Sequence, residues 1–366
     1  MKQTIWGLPV MAAALALYGG TLCGGALAAE PKEVRAALDQ AVPGLLASAK
    51  VPSVSIAEIE DGKVVLTAAY GEQSPGVRAT PATLYNIASL TKPITAEVVL
   101  RLAARKTVSL DAPMADYWTD PDIATDDRRQ LLTARLALSH QTGFPNWRGQ
   151  GKPLAFQFTP GTSYGYSGEG YQYVARYVEK KTGQDFESLA QALVFKPAGM
   201  NDTASGHKPW FDGRVAVPTD ASGTALQPGY ATTYNAADLI YTTAGDYARF
   251  ITSVMRDQDL TTSLAADRRH IQVNQKAEMC GGAKAATCPA EAGFGLGWQV
   301  LEFNGETVMM HTGRDEGVAT FAWYSPTTRK GAVFLTNSDN GFQLVLPVFE
   351  ALGASPTFLA YLRGQS

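Results

Sequence analysis

The 366 residues, 45% apolar and 18% charged, describe a globular chain with enough material for a large core in one or two domains. A formal net charge of −3 argues against nucleic acid or an anionic membrane surface as a main partner. At the N-terminus, Lys2 precedes an apolar run from Ile5 to Leu17, and a small-residue stretch then leads to Ala26-Leu27-Ala28. This is the pattern of a cleaved export signal over residues 1–28, with the mature chain starting near Ala29 and entering the periplasm or the medium. The run is too short and glycine-broken to favour a membrane span, and no later segment is apolar enough to cross a bilayer. A lipid anchor at Cys23 is disfavoured by Leu22, which stands where such signals usually carry a small residue.

Residues 31 to 49 follow as an amphipathic helix with Val34, Leu38, Val42 and Leu45 on one side. Strands Ser53 to Glu60 and Lys63 to Tyr70 are joined at Asp61-Gly62, a tight-hairpin signal. An apolar row at helical spacing (Leu90, Ile94, Val98, Leu102) then predicts a buried helix, with Arg101, Arg105 and Lys106 toward its end. Residues 107 to 290 are helical and loop-rich. They include a helix from Gly170 to Lys181 with Lys180 and Lys181 in its last turn and Gly183 as its stop. Leu296 to Phe303 and Glu306 to Met310 flank Asn304-Gly305, a second hairpin signal. Val318 to Tyr324 and Gly331 to Thr336 read as strands, and a helix from about Gly341 to Leu352 closes the chain.

Strands at both ends with helices between predict an α+β fold. One antiparallel sheet is built from the N- and C-terminal segments (about 31–106 and 291–366), flanked by helices, with a mainly helical part (about 107–290) inserted into a single domain, 29–366. A cleft between the sheet and the inserted helices is the natural place for a site.

The stretch Ala88-Ser89-Leu90-Thr91-Lys92-Pro93 carries the strongest chemical signal. A serine hydroxyl is a poor nucleophile until a neighbour removes its proton, and residues three apart on a helix share a face. Ser89 and Lys92 are therefore placed as nucleophile and activator. Chance alone supplies about one Ser-x-x-Lys in a chain of this length. The second copy, Ser205 and Lys208, runs into Pro209-Trp210 without helical periodicity and reads as loop. Ser89 instead opens the buried helix, with Pro93 near the first turn, where a missing N–H costs least.

Two further segments can serve that pair. In Tyr164-Gly165-Tyr166-Ser167-Gly168, the Tyr166 phenol beside a lysine ammonium is expected to have a lowered pKa, and so to take and return the serine proton. His311-Thr312-Gly313, at a strand end, can offer an edge for substrate pairing and a backbone N–H for an oxyanion. In Leu138-Ser139-His140-Gln141-Thr142-Gly143-Phe144-Pro145, His140 reads as a hydrogen-bonded scaffold residue.

Cys23 leaves with the signal. In an oxidising compartment the remaining Cys280 and Cys288 are expected to close a small loop as a disulfide, the alternative being two free thiols. The four histidines are scattered with no partner at ligand spacing, so neither a metal nor a cofactor is expected.

Ser89-x-x-Lys92, Tyr166-Ser167-Gly168 and His311-Thr312-Gly313, in this order, resemble the three boxes of serine β-lactamase-like and penicillin-binding enzymes, in the branch of class C β-lactamases, D,D-peptidases and esterases. The resemblance spans nearly the whole mature chain, including 236–250 and Gly293-Phe294-Gly295-Leu296-Gly297-Trp298. It implies Ser89 as nucleophile, Lys92 as its activating partner and Tyr166 as shared acid/base. It also implies an oxyanion hole from the N–H groups of Ser89 and Arg314, and substrate contacts from His311, Thr312, Gly313 and position 168. The reaction implied is acyl transfer to Ser89 followed by hydrolysis of an ester, a β-lactam or a D-amino-acid peptide. Two positions depart from the pattern: Gly168 stands where an asparagine is common, and His311 where many β-lactamases have lysine. Both shift weight away from penicillins and D-Ala-D-Ala peptides toward esters or other amides.

Other readings compete at single positions. Gly161-Thr162-Ser163-Tyr164-Gly165 matches a nucleophile elbow, but Pro160 and the lack of strand–helix alternation set Ser163 aside. Tyr166 sits among Tyr164, Tyr171 and Tyr173 and taken alone reads as a packed aromatic. Trp147, Trp210 and Trp298 either wall a pocket or fill the core. A non-catalytic receptor for peptidoglycan fragments or antibiotics is the alternative to an enzyme, although a pure binder needs no proton relay.

Overall fold

A computed structural model describes residues 31–365; the predicted signal lies outside them. Helix α1 (Pro31–Ala49) leads into β1 (Ser53–Glu60) and β2 (Lys63–Ser74). The remaining strands are β3 (Val77–Arg78), β4 (Tyr85–Asn86), β5 (Ala204–Ser205), β6 (Ile240–Thr242), β7 (Val273–Asn274), β8 (Glu291–Phe294), β9 (Gln299–Phe303), β10 (Glu306–Asp315), β11 (Val318–Tyr324) and β12 (Gly331–Thr336). The main sheet runs β3-β2-β1-β12-β11-β10-β9-β8-β7 and is antiparallel throughout. The predicted α+β sheet built from both ends of the chain is thus present, joined where Val54 of β1 pairs with Thr336 of β12.

One face of the sheet is covered by α1 and the C-terminal helices Val345–Ala351 and Pro356–Gln365. Val34, Leu38, Val42, Phe349 and Phe358 pack there against Ile56, Phe321 and Phe334. The other face packs on α2 (Thr91–Ala104) and on the helices Gly168–Thr182 and Ala244–Met255. Every residue of α2 from Thr91 to Leu102 is buried, so it is a central helix rather than a one-sided surface helix.

Burial of α2 includes charge. Glu97 lies between Arg101, 3.8 Å away, and Arg268, whose Nη1 donates to Glu97 Oε1 at 2.8 Å. These three side chains have almost no solvent exposure. Arg268 is held further by Asp257 and the carbonyl of Val254, and Arg101 by the carbonyl of Leu193 and Ser253. Removing the one carboxylate between two buried guanidiniums leaves both under-compensated. Glu97→Gln is expected to cost about 3–5 kcal/mol, read as a lower urea midpoint.

Differences from the sequence reading have local causes. Leu296 to Phe303 is not one strand: Gly297, at φ +88°, turns the chain against α2, where an added Cβ would lie 2.4 Å from that of Ala96. Pairing begins only at Gln299, and β8 precedes the turn. The helix at Gly341 does not close the chain, because Pro356–Gln365 adds a further helix carrying Phe358 and Tyr361 into the core. Ser205 is not a loop residue but a buried part of β5, while Lys208 pairs with Glu187.

Candidate active site

Ser89 sits on a single 3-10 turn, Ala88–Leu90, that runs directly into α2. The turn is tied down on several sides. Asn86 Oδ1 accepts the Ala88 N–H at 2.8 Å, and Thr320 of β11 donates to the Ile87 carbonyl at 2.9 Å. Tyr247 donates to the Leu90 carbonyl at 2.8 Å. Ala88 holds φ +47° just before the serine, a conformation that alanine adopts only under such constraint.

One helical turn on, Lys92 is fully buried, and its Nζ donates to Ser89 Oγ at 2.9 Å and to the Ala237 carbonyl at 3.0 Å. Burial pushes the amine down to about 7, with the nearby Asp238 carboxylate acting in the opposite direction. Asp238 is itself raised to about 6 by burial and by Asp315. Burial thus favours the free-amine form of Lys92.

Tyr166 arrives just ahead of the helix Gly168–Thr182, whose N-cap is Ser167: the Ser167 hydroxyl accepts the Gly170 N–H at 2.9 Å and donates to the Pro145 carbonyl at 2.8 Å. The Tyr166 hydroxyl is hydrogen-bonded to Ser89, and Lys92 Nζ lies 4.8 Å from the ring centroid. The expected lowering of the phenol pKa is reversed. Burial raises it well above the ordinary tyrosine value, outweighing the hydrogen bond from Ser89. Tyr166 is thus a neutral hydroxyl that can donate a proton, not a standing phenolate.

His140 is the scaffold residue expected. Its ring stacks on Tyr166 at 4.3 Å, and Nδ1 accepts the Ser167 N–H at 3.0 Å. Burial, with Lys92 and His311 nearby, holds His140 neutral.

The third wall is β10. Its pairing with β9 ends at Met310, while its pairing with β11 continues to Asp315. The segment His311–Asp315 therefore has an edge that β9 leaves unpaired, and it packs on the serine turn. Gly313 makes the approach possible: a Cβ there would lie 2.2 Å from Thr320 Oγ1, 2.4 Å from the Ile87 carbonyl and 3.1 Å from the Ser89 nitrogen. Thr312 is half-buried, and the Arg314 side chain is exposed. His311 is buried, and burial together with Lys92 pushes it down to about 3. It is a neutral ring whose Nδ1–H is taken by the Thr312 carbonyl at 2.8 Å, so it brings no positive charge to the site.

Ser89, Lys92, Tyr166 and the 311–313 box thus converge, whereas Ser163 is exposed on the loop before Tyr166 and Ser205 is paired with Ile240 in the β5–β6 ladder. Asp238, the Ala237 carbonyl and Thr320 were not anticipated: each is an ordinary residue that only the tertiary fold brings to the serine. Cys280 and Cys288 are joined, with Cα atoms 5.8 Å apart, on the segment leading to β8. Among the described residues no group of His, Cys, Asp and Glu has the arrangement of a metal site.

Residues 38–353 match the family described as Beta-lactamase. The chain belongs to the beta-lactamase family. Relatives include "Penicillin-binding protein 4" of Amycolatopsis lactamdurans, 24% identical over 330 residues, which covers 82% of this chain and 85% of that protein. The D-alanyl-D-alanine-carboxypeptidase/endopeptidase AmpH of Escherichia coli (strain K12) is 24% identical over 311 residues, covering 76% of this chain and 78% of that one. Esterase EstB of Burkholderia gladioli is 31% identical over 150 residues, covering 33% of this chain and 38% of that one. The fold is also that of the D-alanine carboxypeptidase AmpC from Burkholderia cenocepacia. It superposes with a TM-score of 0.72 at 20% identity, covering 88% of this chain and 99% of that one. Among the described residues no helix is long and apolar enough to cross a membrane.

Proposed function

We propose that this protein is an exported serine hydrolase that cleaves an ester or amide through an acyl-enzyme on Ser89. The observation that carries the reading is the fully buried Lys92 amine at 2.9 Å from Ser89 Oγ, where burial lowers its pKa. The free amine takes the serine proton as Oγ attacks the substrate carbonyl. The oxygen of that carbonyl becomes an oxyanion facing the N–H groups of Ser89 and Arg314. Collapse breaks the bond to the leaving group, which takes its proton from the Tyr166 hydroxyl, and Lys92 returns one to Tyr166. Water then attacks the ester on Ser89 by the same relay in reverse, releasing the acid and restoring the serine proton. No cofactor is needed, and substrate is contacted along His311, Thr312 and Gly313.

A neutral His311 supports esters or uncharged amides over substrates anchored by a carboxylate. The test is incubation with a fluorophosphonate, then turnover of p-nitrophenyl butyrate and of nitrocefin. Wild type is expected to label and Ser89→Ala not to; labelling that persists in the variant removes the proposed nucleophile. Turnover of the butyrate alone selects esterase, and labelling without turnover of any substrate selects the receptor.

A further inference from the structure

We propose that Trp147 is an aromatic wall of the substrate site, fixing a preference for a flat or apolar group beside the scissile carbonyl; this rests on the Ser89 acyl-enzyme reading. Of the three tryptophans noted in the sequence, Trp298 is fully buried in the core. Trp147 is not: 43% of its surface is exposed, yet its ring centroid lies 6.0 Å from Lys92 Nζ, the atom that contacts Ser89.

Gly168 is what admits the ring. A Cβ at that position would meet three atoms of the indole at 2.7–2.9 Å, so the tryptophan occupies the space that any side chain there would take. Gly168 does not have a positive φ, so its lack of a side chain serves the indole and not a turn.

The ring is also held from behind. The Asn146 carbonyl accepts the N–H groups of Gly168 and Glu169 at 2.9 and 3.0 Å. On the other side, Arg148 is clamped by Glu169, Asp120 and Asp122 at 2.9–3.0 Å. Trp147 thus stands between two anchored residues, and an exposed indole fixed in this way loses little freedom when a ligand packs on it. Asn146 and Arg148 act as positioning residues.

The experiment compares labelling rates of Ser89 by two fluorophosphonates, one bearing a methyl group and one a benzyl group on phosphorus. In wild type the benzyl reagent should react faster. In Trp147→Ala that benzyl-to-methyl ratio should fall about tenfold, the size of a single aromatic contact. Gly168→Ala, which displaces the indole while keeping it in the chain, should lower the ratio in the same direction. Unfolding midpoints of both variants establish that they are folded. Equal loss for both reagents, or an unchanged ratio, overturns the wall while leaving Ser89 in place. Failure of both reagents to label wild type overturns the nucleophile and the wall together.

Discussion

Lys92→Ala is expected to slow acylation of Ser89 by about 10²–10⁴, the range general-base catalysis contributes, while the protein stays folded. Loss of the amine frees the Ala237 carbonyl and takes a compensating charge from the buried Asp238 carboxylate, so the unfolding midpoint is measured beside the rate. The sign of the pH dependence follows from the same residue. Below about pH 7 Lys92 binds a proton and cannot take one from Ser89; above it, the free amine is available. The rate of acylation in wild type should therefore rise through neutrality and level off in mildly alkaline solution, as long as Tyr166 remains protonated. In Lys92→Ala that rise should vanish. A profile that instead rises only near pH 10 would mean that the base titrates as an ordinary exposed amine or phenol.

Gly313→Ala carries the second large effect. The new methyl group meets Thr320 Oγ1 and the Ile87 carbonyl at 2.2 and 2.4 Å, neither of which is the far end of a flexible chain. Thr320 holds the serine turn through that same carbonyl, so relief must move either β10 or the turn itself. A shift of about 1 Å between nucleophile and oxyanion donors is worth about 10² in rate. The loss should fall on the rate of Ser89 labelling, with a smaller change in unfolding midpoint than in activity. A variant as fast as wild type would show that β10 does not set the serine geometry.

The strands were readable wherever a turn dictates them. Asp61-Gly62 takes positive φ at both residues, 51° and 68°, and β1 ends where that turn predicted. Asn304-Gly305 likewise marks the β9–β10 hairpin. The short strands β4, β5 and β6 escaped because two or three residues carry no periodicity, and their pairing is decided by distant partners. At the site, Ser89 and Lys92 were legible because one helical turn places them. The protonation of Lys92 and Tyr166 was not. Motif spacing says which groups are neighbours, while burial, which only the packed fold supplies, decided which of the two gives up its proton. Trp147 and Gly168 are separated by an irregular loop, so their contact had no sequence signal at all.

The sheet order has a kinetic consequence. β1 finds its second neighbour only in β12, and the serine turn is buttressed by β10 and β11, all drawn from the far end of the chain. A nascent chain that has emerged as far as α2 already carries Ser89 and Lys92 but has nothing to bury them against. Loop-closure entropy over so long a separation makes such pairing slow. Ser89 and Lys92 are therefore not walled in until nearly all of the polypeptide is present, so the last strands to appear complete the surroundings of a turn made early in the chain.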